Sequence, residues 1–376
     1  MKYTLQVFTG SWDTVQFRAE EIIGRISAIA ARVPVEQVII GWCADTPAYR
    51  KVGAFLHEAG IRMLLWLPVF SETRAGPGAE QAQDLFGRTM KVPEVPDGEA
   101  FRFVCPSSAT NTRIATDTYE QLFSGCGFDG VFLDRVRGQS FLAGVNGVLG
   151  CACGRCREIF LKKGVDTREV RKMYEEERDS FFDIASWPMN GQFILKNKTA
   201  QRFFEVREEI LAEAVSGLVR HFKSKGLIVG LDLFAPAVSR VAGQNYPLMT
   251  RDADFIKPML YRRTEAPAGI GYEYALFERY APKAEGRAKP RMDRAFLHTQ
   301  LAALRNLPCR AIPGIEINYD ADSVKTDPEY IRESLEEIRS SGFGEAALCW
   351  DVTQAPETNL EAVFRQDLYH KPQQPG

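Results

Sequence analysis

Eight short apolar runs separated by amphipathic stretches constrain this chain more than any other feature. The runs are Tyr3–Thr9, Gln37–Trp42, Arg62–Val69, Gly130–Asp134, Leu227–Leu233, Phe255–Tyr261, Ala311–Ile317 and Ala346–Asp351. Each is rich in Val, Ile, Leu and aromatic residues on both faces. That is the pattern of parallel strands covered by helices rather than of a sheet with one wet face. Between them, Phe203, Phe204, Val206, Ile210, Leu211, Ala214, Val215, Leu218, Val219 and Phe222 repeat at helical spacing, and Lys223-Ser-Lys-Gly226 supplies a basic last turn and a glycine stop. Strand and helix alternating eight times predicts an α/β chain folded as a single (β/α)8 TIM barrel over residues 1–370, with a disordered tail over 371–376. An open doubly wound sheet is the competing arrangement, but no GxGxxG follows the first run.

Two connections are longer than a barrel requires. Ser71–Cys105 carries Gly76-Pro-Gly78 and Val92-Pro-Glu-Val-Pro-Asp-Gly98, and Arg137 to about Thr199 carries a cysteine cluster. Both follow strands, on the face where barrel enzymes keep their active sites.

Of the eight cysteines, Cys151, Cys153 and Cys156 crowd into six residues. Three thiolates in one turn ask for a tetrahedral ion and a fourth ligand. Cys105, at the end of Phe101-Arg-Phe-Val-Cys105-Pro, is the expected fourth, and Cys126 is its competitor. Four thiolates leave no open position, so such an ion would be structural. A lone Cys-Pro, a helix, a strand and then C-x-C-x-x-C with Arg157-Glu-Ile-Phe160 resembles glycoside hydrolase family 42, the β-galactosidases, over about Phe101–Lys163. The resemblance implies a structural zinc on Cys105, Cys151, Cys153 and Cys156. It does not carry over the activity, because that family's strand-four Asn-Glu is replaced here by Leu133-Asp134-Arg135-Val-Arg137. The string Gly-Phe-Asp-Gly-Val-Phe-Leu-Asp ending at Asp134, with Gly230–Pro236 and Lys257–Tyr261, also resembles uncharacterised (β/α)8-barrel proteins of glycosidase type. That resemblance implies a hydrolase-like site without a substrate.

Acidic residues at strand ends point the same way. Asp45, Asp134, Asp232, Glu316 and Asp351 fall near the ends of runs two, four, five, seven and eight. A charge inside an apolar strand is costly unless paired or used. Glycoside cleavage uses two carboxyls, one on each side of the scissile bond. Two assignments are open: Glu316 as nucleophile with Asp134 as acid/base, or Asp134 as nucleophile with Asp232 or Glu316 as the acid. The second is favoured by Arg135 and Arg137, whose charges would hold Asp134 ionised. Lys257 could neutralise Asp232 or Asp351, and Asp45, before Thr46-Pro47, could simply cap a helix.

Trp12, Trp42, Trp66 and Tyr261 lie in or just after strands and could offer flat faces to sugar rings; each is equally at home in a core. Arg135 and Arg137 could bind an anionic substituent. His57, His221, His298 and His370 lie in helices or the tail, which argues against a Ser-His-Asp site or a histidine-bound metal.

The net charge of −2 carries no polybasic block, so neither nucleic acid nor an anionic membrane is an expected partner. No run approaches a membrane span, and the start reads as a strand rather than a leader, so the expected location is cytoplasmic. The function expected is hydrolysis of a soluble oligosaccharide or glycoside by paired carboxylates. A non-catalytic sugar-binding barrel, or a barrel lyase or isomerase using Lys257 and a carboxylate, are the alternatives.

Overall fold

The computed structural model describes residues 1–71, 78–89, 102–178, 180–280 and 290–368. Gly76-Pro77, Val92–Gly98 and the 371–376 tail lie outside the described residues. Eight parallel strands form one closed ring: β1 (Lys2–Phe8), β2 (Val35–Gly41), β3 (Arg62–Pro68), β4 (Gly130–Asp134), β5 (Ile228–Phe234), β6 (Phe255–Met259), β7 (Gly314–Glu316) and β8 (Glu345–Cys349). Neighbours in sequence are neighbours in space, and β1 pairs with both β2 and β8, from Lys2 opposite Glu345 to Leu5 opposite Leu348. The chain is therefore a (β/α)8 barrel, as the eight runs predicted, with helices covering the outer faces.

The seventh strand departs from its predicted run. The run divides into a two-residue strand, Arg310–Ala311, which pairs with β6, and β7 itself, which meets β6 only through Gly314 opposite Met259. Pro313 stands at the break, where it has no N–H to donate to a ladder. The ring thus closes between β6 and the seventh run through pairings on both sides of Pro313.

The long connection after β4 is structured. It holds helices Gly154–Lys162 and Thr167–Glu176 and a small antiparallel pair, Ile184–Ser186 with Ile194–Leu195. It then enters the helix Lys198–Ser224, capped by Asn197, whose side chain accepts from Ala200 N, and stopped before Gly226 at φ +80°. That helix buries the predicted apolar face, and it also buries Arg207 and Glu208. Arg207 donates to the carbonyls of Gln139 (2.6 Å), Gly150 (2.7 Å), Arg240 and Val241 (both 3.3 Å). Burial lowers its pKa to about 10. One guanidinium therefore ties the β4 and β5 connections to the outer helix. No helix among the described residues is long and apolar enough to cross a membrane.

Candidate active site

The barrel interior is polar at its centre. Lys257, on β6, is fully buried and reaches across the ring. Its Nζ lies 3.0 Å from Asp232 Oδ2 on β5 and donates to Gln6 Oε1 on β1 (2.9 Å) and Tyr261 Oη (3.0 Å). Cys349 Sγ on β8 is 3.7 Å away, and the Phe132 ring of β4 is 5.4 Å away. Burial alone would lower the Lys257 pKa; Asp232, Cys349 and Asp134 together raise it, so the ammonium form is held.

Above this layer opens a cavity of about 520 Å³, within the range of small-ligand sites. Asp134, Asp232 and Asp351 contribute to its wall, with Arg135 and Arg137. Asp134 is held from two sides: Trp66 Nε1 donates to Oδ2 (2.8 Å) and Arg135 N donates to Oδ1 (2.5 Å). Two N–H donors on the two oxygens suit a carboxylate, which only accepts. Arg135 has φ 55°, a left-handed conformation that costs a non-glycine residue energy. It carries the guanidinium back, 5.7 Å from the centre of Trp42, with Nε 3.8 Å from Asp134 Oδ2. Arg137 lies between the rings of Phe103 and Phe234, 5.0 Å from each.

Asp232 is held differently. Oδ2 takes Lys257, while Oδ1, in the cavity wall, has no hydrogen-bond partner among the described residues. Burial pushes its pKa up to about 7; Lys257 pulls the other way and the nearby Asp134 charge adds to the rise. Two adjacent strands thus carry two carboxyls in contrasting environments. Asp351 is also raised by burial, against the donors Thr353 N (3.0 Å) and Thr353 Oγ1 (2.8 Å).

Aromatic rings line the rest. Phe8, Trp42 and Trp66 meet edge to face at the ends of β1, β2 and β3, with centroids 5.3 to 6.0 Å apart. Tyr261 and Trp350 face each other on the far side at 6.3 Å. Trp42 Nε1 is a second buried polar atom of the wall without a hydrogen-bond partner among the described residues. The far wall is braced by the β6 and β7 loops: Thr264 bridges Val324, Glu265 N donates to Ser323 O (2.7 Å) and Lys325 N donates to Arg263 O (3.1 Å).

Three expected site residues lie elsewhere. Glu316 is fully buried behind the wall, where Oε1 accepts from Arg263 N (2.6 Å) and Oε2 from Tyr330 Oη (2.8 Å). It ties the β6 loop to the helix Pro328–Ser340 and is not among the cavity's lining residues. Asp45 is the N-cap of helix Thr46–Glu58, accepting from Ala48 N and Phe17 N. Trp12 packs 6.2 Å from Phe123, away from the cavity. Conversely, Gln6, Phe8 and Asn318 line the cavity without having been singled out. Gln6 carries the signal used for the acids, a polar group inside an apolar strand.

The four expected cysteines come together. The Sγ atoms of Cys105, Cys151, Cys153 and Cys156 all lie within 4.8 Å of one another, with Cys105 3.5 Å from Cys153 and 3.6 Å from Cys156. A tetrahedron with ~2.3 Å metal–sulfur bonds has edges of about 3.8 Å, so the donor set fits a tetrahedral ion. Cys126 is elsewhere, against Leu122 O and Thr46 O. The cluster fastens Cys105, two residues from the Phe103 ring that supports Arg137.

No family model and no curated protein matches this sequence, so the likeness of segment 101–163 to glycoside hydrolase family 42 rests on its cysteine arrangement. Among solved structures the chain is similar to the glycoside hydrolase domain of PgaB (BpsB) from Bordetella bronchiseptica, with 17% identity, 96% of this chain and 97% of that chain covered, and a TM-score of 0.64. It is also similar to the catalytic domain of β-amylase from Paenibacillus polymyxa (11% identity, 99% of each chain, TM-score 0.57). A third is α-L-fucosidase isoenzyme 2 from Paenibacillus thiaminolyticus (13% identity, 98% of this chain and 49% of that chain, TM-score 0.54). At these identities what is shared is the fold.

Proposed function

We propose that this protein is a glycoside hydrolase, with Asp134 and Asp232 as its paired carboxyls. The observation that carries the reading is their contrast within one aromatic-lined cavity. Asp134 is fixed by two N–H donors, and Asp232 is buried with one oxygen unpartnered and its pKa pushed up to about 7. In this reading Asp232 gives its proton to the leaving oxygen as the glycosidic C–O bond breaks. Asp134 attacks the anomeric carbon, and water then releases the sugar from Asp134, giving its proton back to Asp232. Lys257 holds Asp232 in place; Trp42, Trp66, Tyr261 and Trp350 present faces to the ring C–H groups. Arg135 and Arg137 position Asp134 and the substrate's hydroxyls, and Asp351 binds at the opposite wall. The shared barrel of the three solved glycosidase domains adds support by analogy.

We further assign a structural zinc to Cys105, Cys151, Cys153 and Cys156, since four thiolates close the coordination sphere. The test is hydrolysis of a panel of p-nitrophenyl glycosides and soluble oligosaccharides by the wild type, Asp134→Asn and Asp232→Asn. Cleavage by the wild type that both variants lose supports the assignment. Cleavage that survives both substitutions overturns it.

A further inference from the structure

The cavity does not end at its rim. Phe8 and Gln354 belong both to the cavity wall and to a shallow surface groove of about 880 Å³, which runs between the helix Ala19–Ala30 and the connection after β8. Phe8 is 40% exposed although it closes a buried strand, and its ring is steadied edge-on by Trp42 and Trp66. It therefore offers one apolar surface to a ligand passing from the cavity into the groove. The walls beyond it combine Phe17 with planar polar groups from Arg18, Glu21, Arg25 and Gln354. Arg25 is held in place: it donates to Val352 O (2.9 Å) and Ala355 O (2.6 Å) and pairs with Glu357. Arg25 thus joins the first helix to the last strand's connection along the groove.

A second observation is independent of the cavity. Gly24 sits mid-helix and lines this groove, and a Cβ built there would meet nothing within 4 Å. Its φ is not positive, so the backbone does not require glycine, and no close packing requires it either. Glycine inside a helix costs roughly 0.5–1 kcal/mol relative to alanine. What the missing side chain does provide is an open groove floor.

We propose that the groove is a glycan subsite for chain residues outside the cavity, so that the substrate is an oligosaccharide or polysaccharide chain rather than a small glycoside. This inference rests on the glycoside hydrolase reading for its chemistry, but not for its location. The groove continues from the cavity through Phe8 and Gln354, so a chain held in both would make contacts outside the reacting unit. Polar planar groups beside an exposed ring suit the hydroxyl edges and apolar face of a sugar, and the mixed charges of the wall favour neither an acidic nor a basic polymer.

The experiment fills the groove with Gly24→Trp and uses Gly217→Trp, on the helix Lys198–Ser224 and with similarly open surroundings, as the matched control. The probes are β-1,4-linked oligomers of glucose, N-acetylglucosamine and mannose, and α-1,4-linked glucose oligomers, each of two and six units. Binding is measured by calorimetry on the Asp134→Asn background, and hydrolysis on the wild-type background. The expected result is a hexamer-to-dimer preference that falls at least tenfold in Gly24→Trp and is kept in Gly217→Trp. An unchanged preference in Gly24→Trp, with its unfolding transition intact, overturns the groove and leaves the hydrolase reading standing. Binding of hexamers that Gly24→Trp removes, without hydrolysis of any probe by the wild type, overturns the hydrolase reading and keeps the groove. Neither binding nor hydrolysis of any probe overturns both.

Discussion

Lys257 Nζ stands 3.0 Å from one oxygen of Asp232, and the other oxygen of the same carboxyl is buried without a hydrogen-bond partner among the described residues. The lysine therefore orients the acid without saturating it. The buried carboxyl of Glu316, by contrast, has both oxygens engaged, by Arg263 N and Tyr330 Oη.

That arrangement makes a pH prediction. A proton donor at Asp232 works while protonated, and its pKa is pushed up to about 7. The rate should hold below that value and fall about tenfold per pH unit above it. Asp232→Asn is expected to lower kcat by at least ~10³-fold and to remove this alkaline limb from the residual rate, read from kcat against pH. Lys257→Met should raise the Asp232 pKa further and move this alkaline limb to higher pH, because it removes the charge that pulls that pKa down.

Glu316→Gln separates positioning from catalysis. The amide can still accept from Arg263 N and can donate to Tyr330 Oη, so hydrolysis should stay within about tenfold of wild type; a catalytic role would cost ~10³-fold or more. Its effect should appear in stability. The carboxyl's pKa is pushed up by burial from 4.5 in a free chain to about 7 in the fold. Folding therefore takes up a proton between those values, and the stabilising contribution is complete below pH 4.5 and lost as pH rises through 7. Unfolding free energy measured from pH 4 to pH 8 should fall by roughly 1–3 kcal/mol less in Glu316→Gln than in the wild type.

Metal content tests the cysteine cluster. Purified protein is expected to carry about one zinc per chain by elemental analysis, and Cys153→Ser or Cys156→Ser well under half of that. Removing the ion with a chelator should lower the unfolding midpoint by several degrees, since a closed thiolate site contributes to folding. Loss of zinc should also weaken activity, because the cluster steadies the segment carrying Phe103 under Arg137.

Arg207→Met is expected to destabilise by about 3 kcal/mol or more, leaving the four carbonyls it serves without that donor. Thermal and chemical unfolding of the variant would check this. Limited proteolysis should find new cleavage in the Gln139–Gly150 region.

The eight strands were legible because parallel strands under helices are apolar on both faces, and that signal survives in a single sequence. The break at Pro313 was not weighed, although a proline inside an apolar run is the residue that interrupts a ladder. Asp134 and Asp232 were found because a carboxyl in an apolar strand needs a reason. Glu316 sends the same signal for a different reason: its partners come from a loop and an outer helix, and strand position alone does not say which layer a side chain enters. Asp45 kept both readings open in the sequence, and the geometry gives the cap. Phe8 was missed because an aromatic at a strand end looks like core until its exposure is seen.

The joint between β6 and the seventh run, interrupted at Pro313 and resumed at Gly314 opposite Met259, lies beneath the wall that the β6 and β7 loops build over the cavity. Amide hydrogens of residues 259–264 and 314–318 should then exchange sooner than those of β1 to β4. Breathing at that seam would widen the mouth on one side while the aromatic side stays rigid.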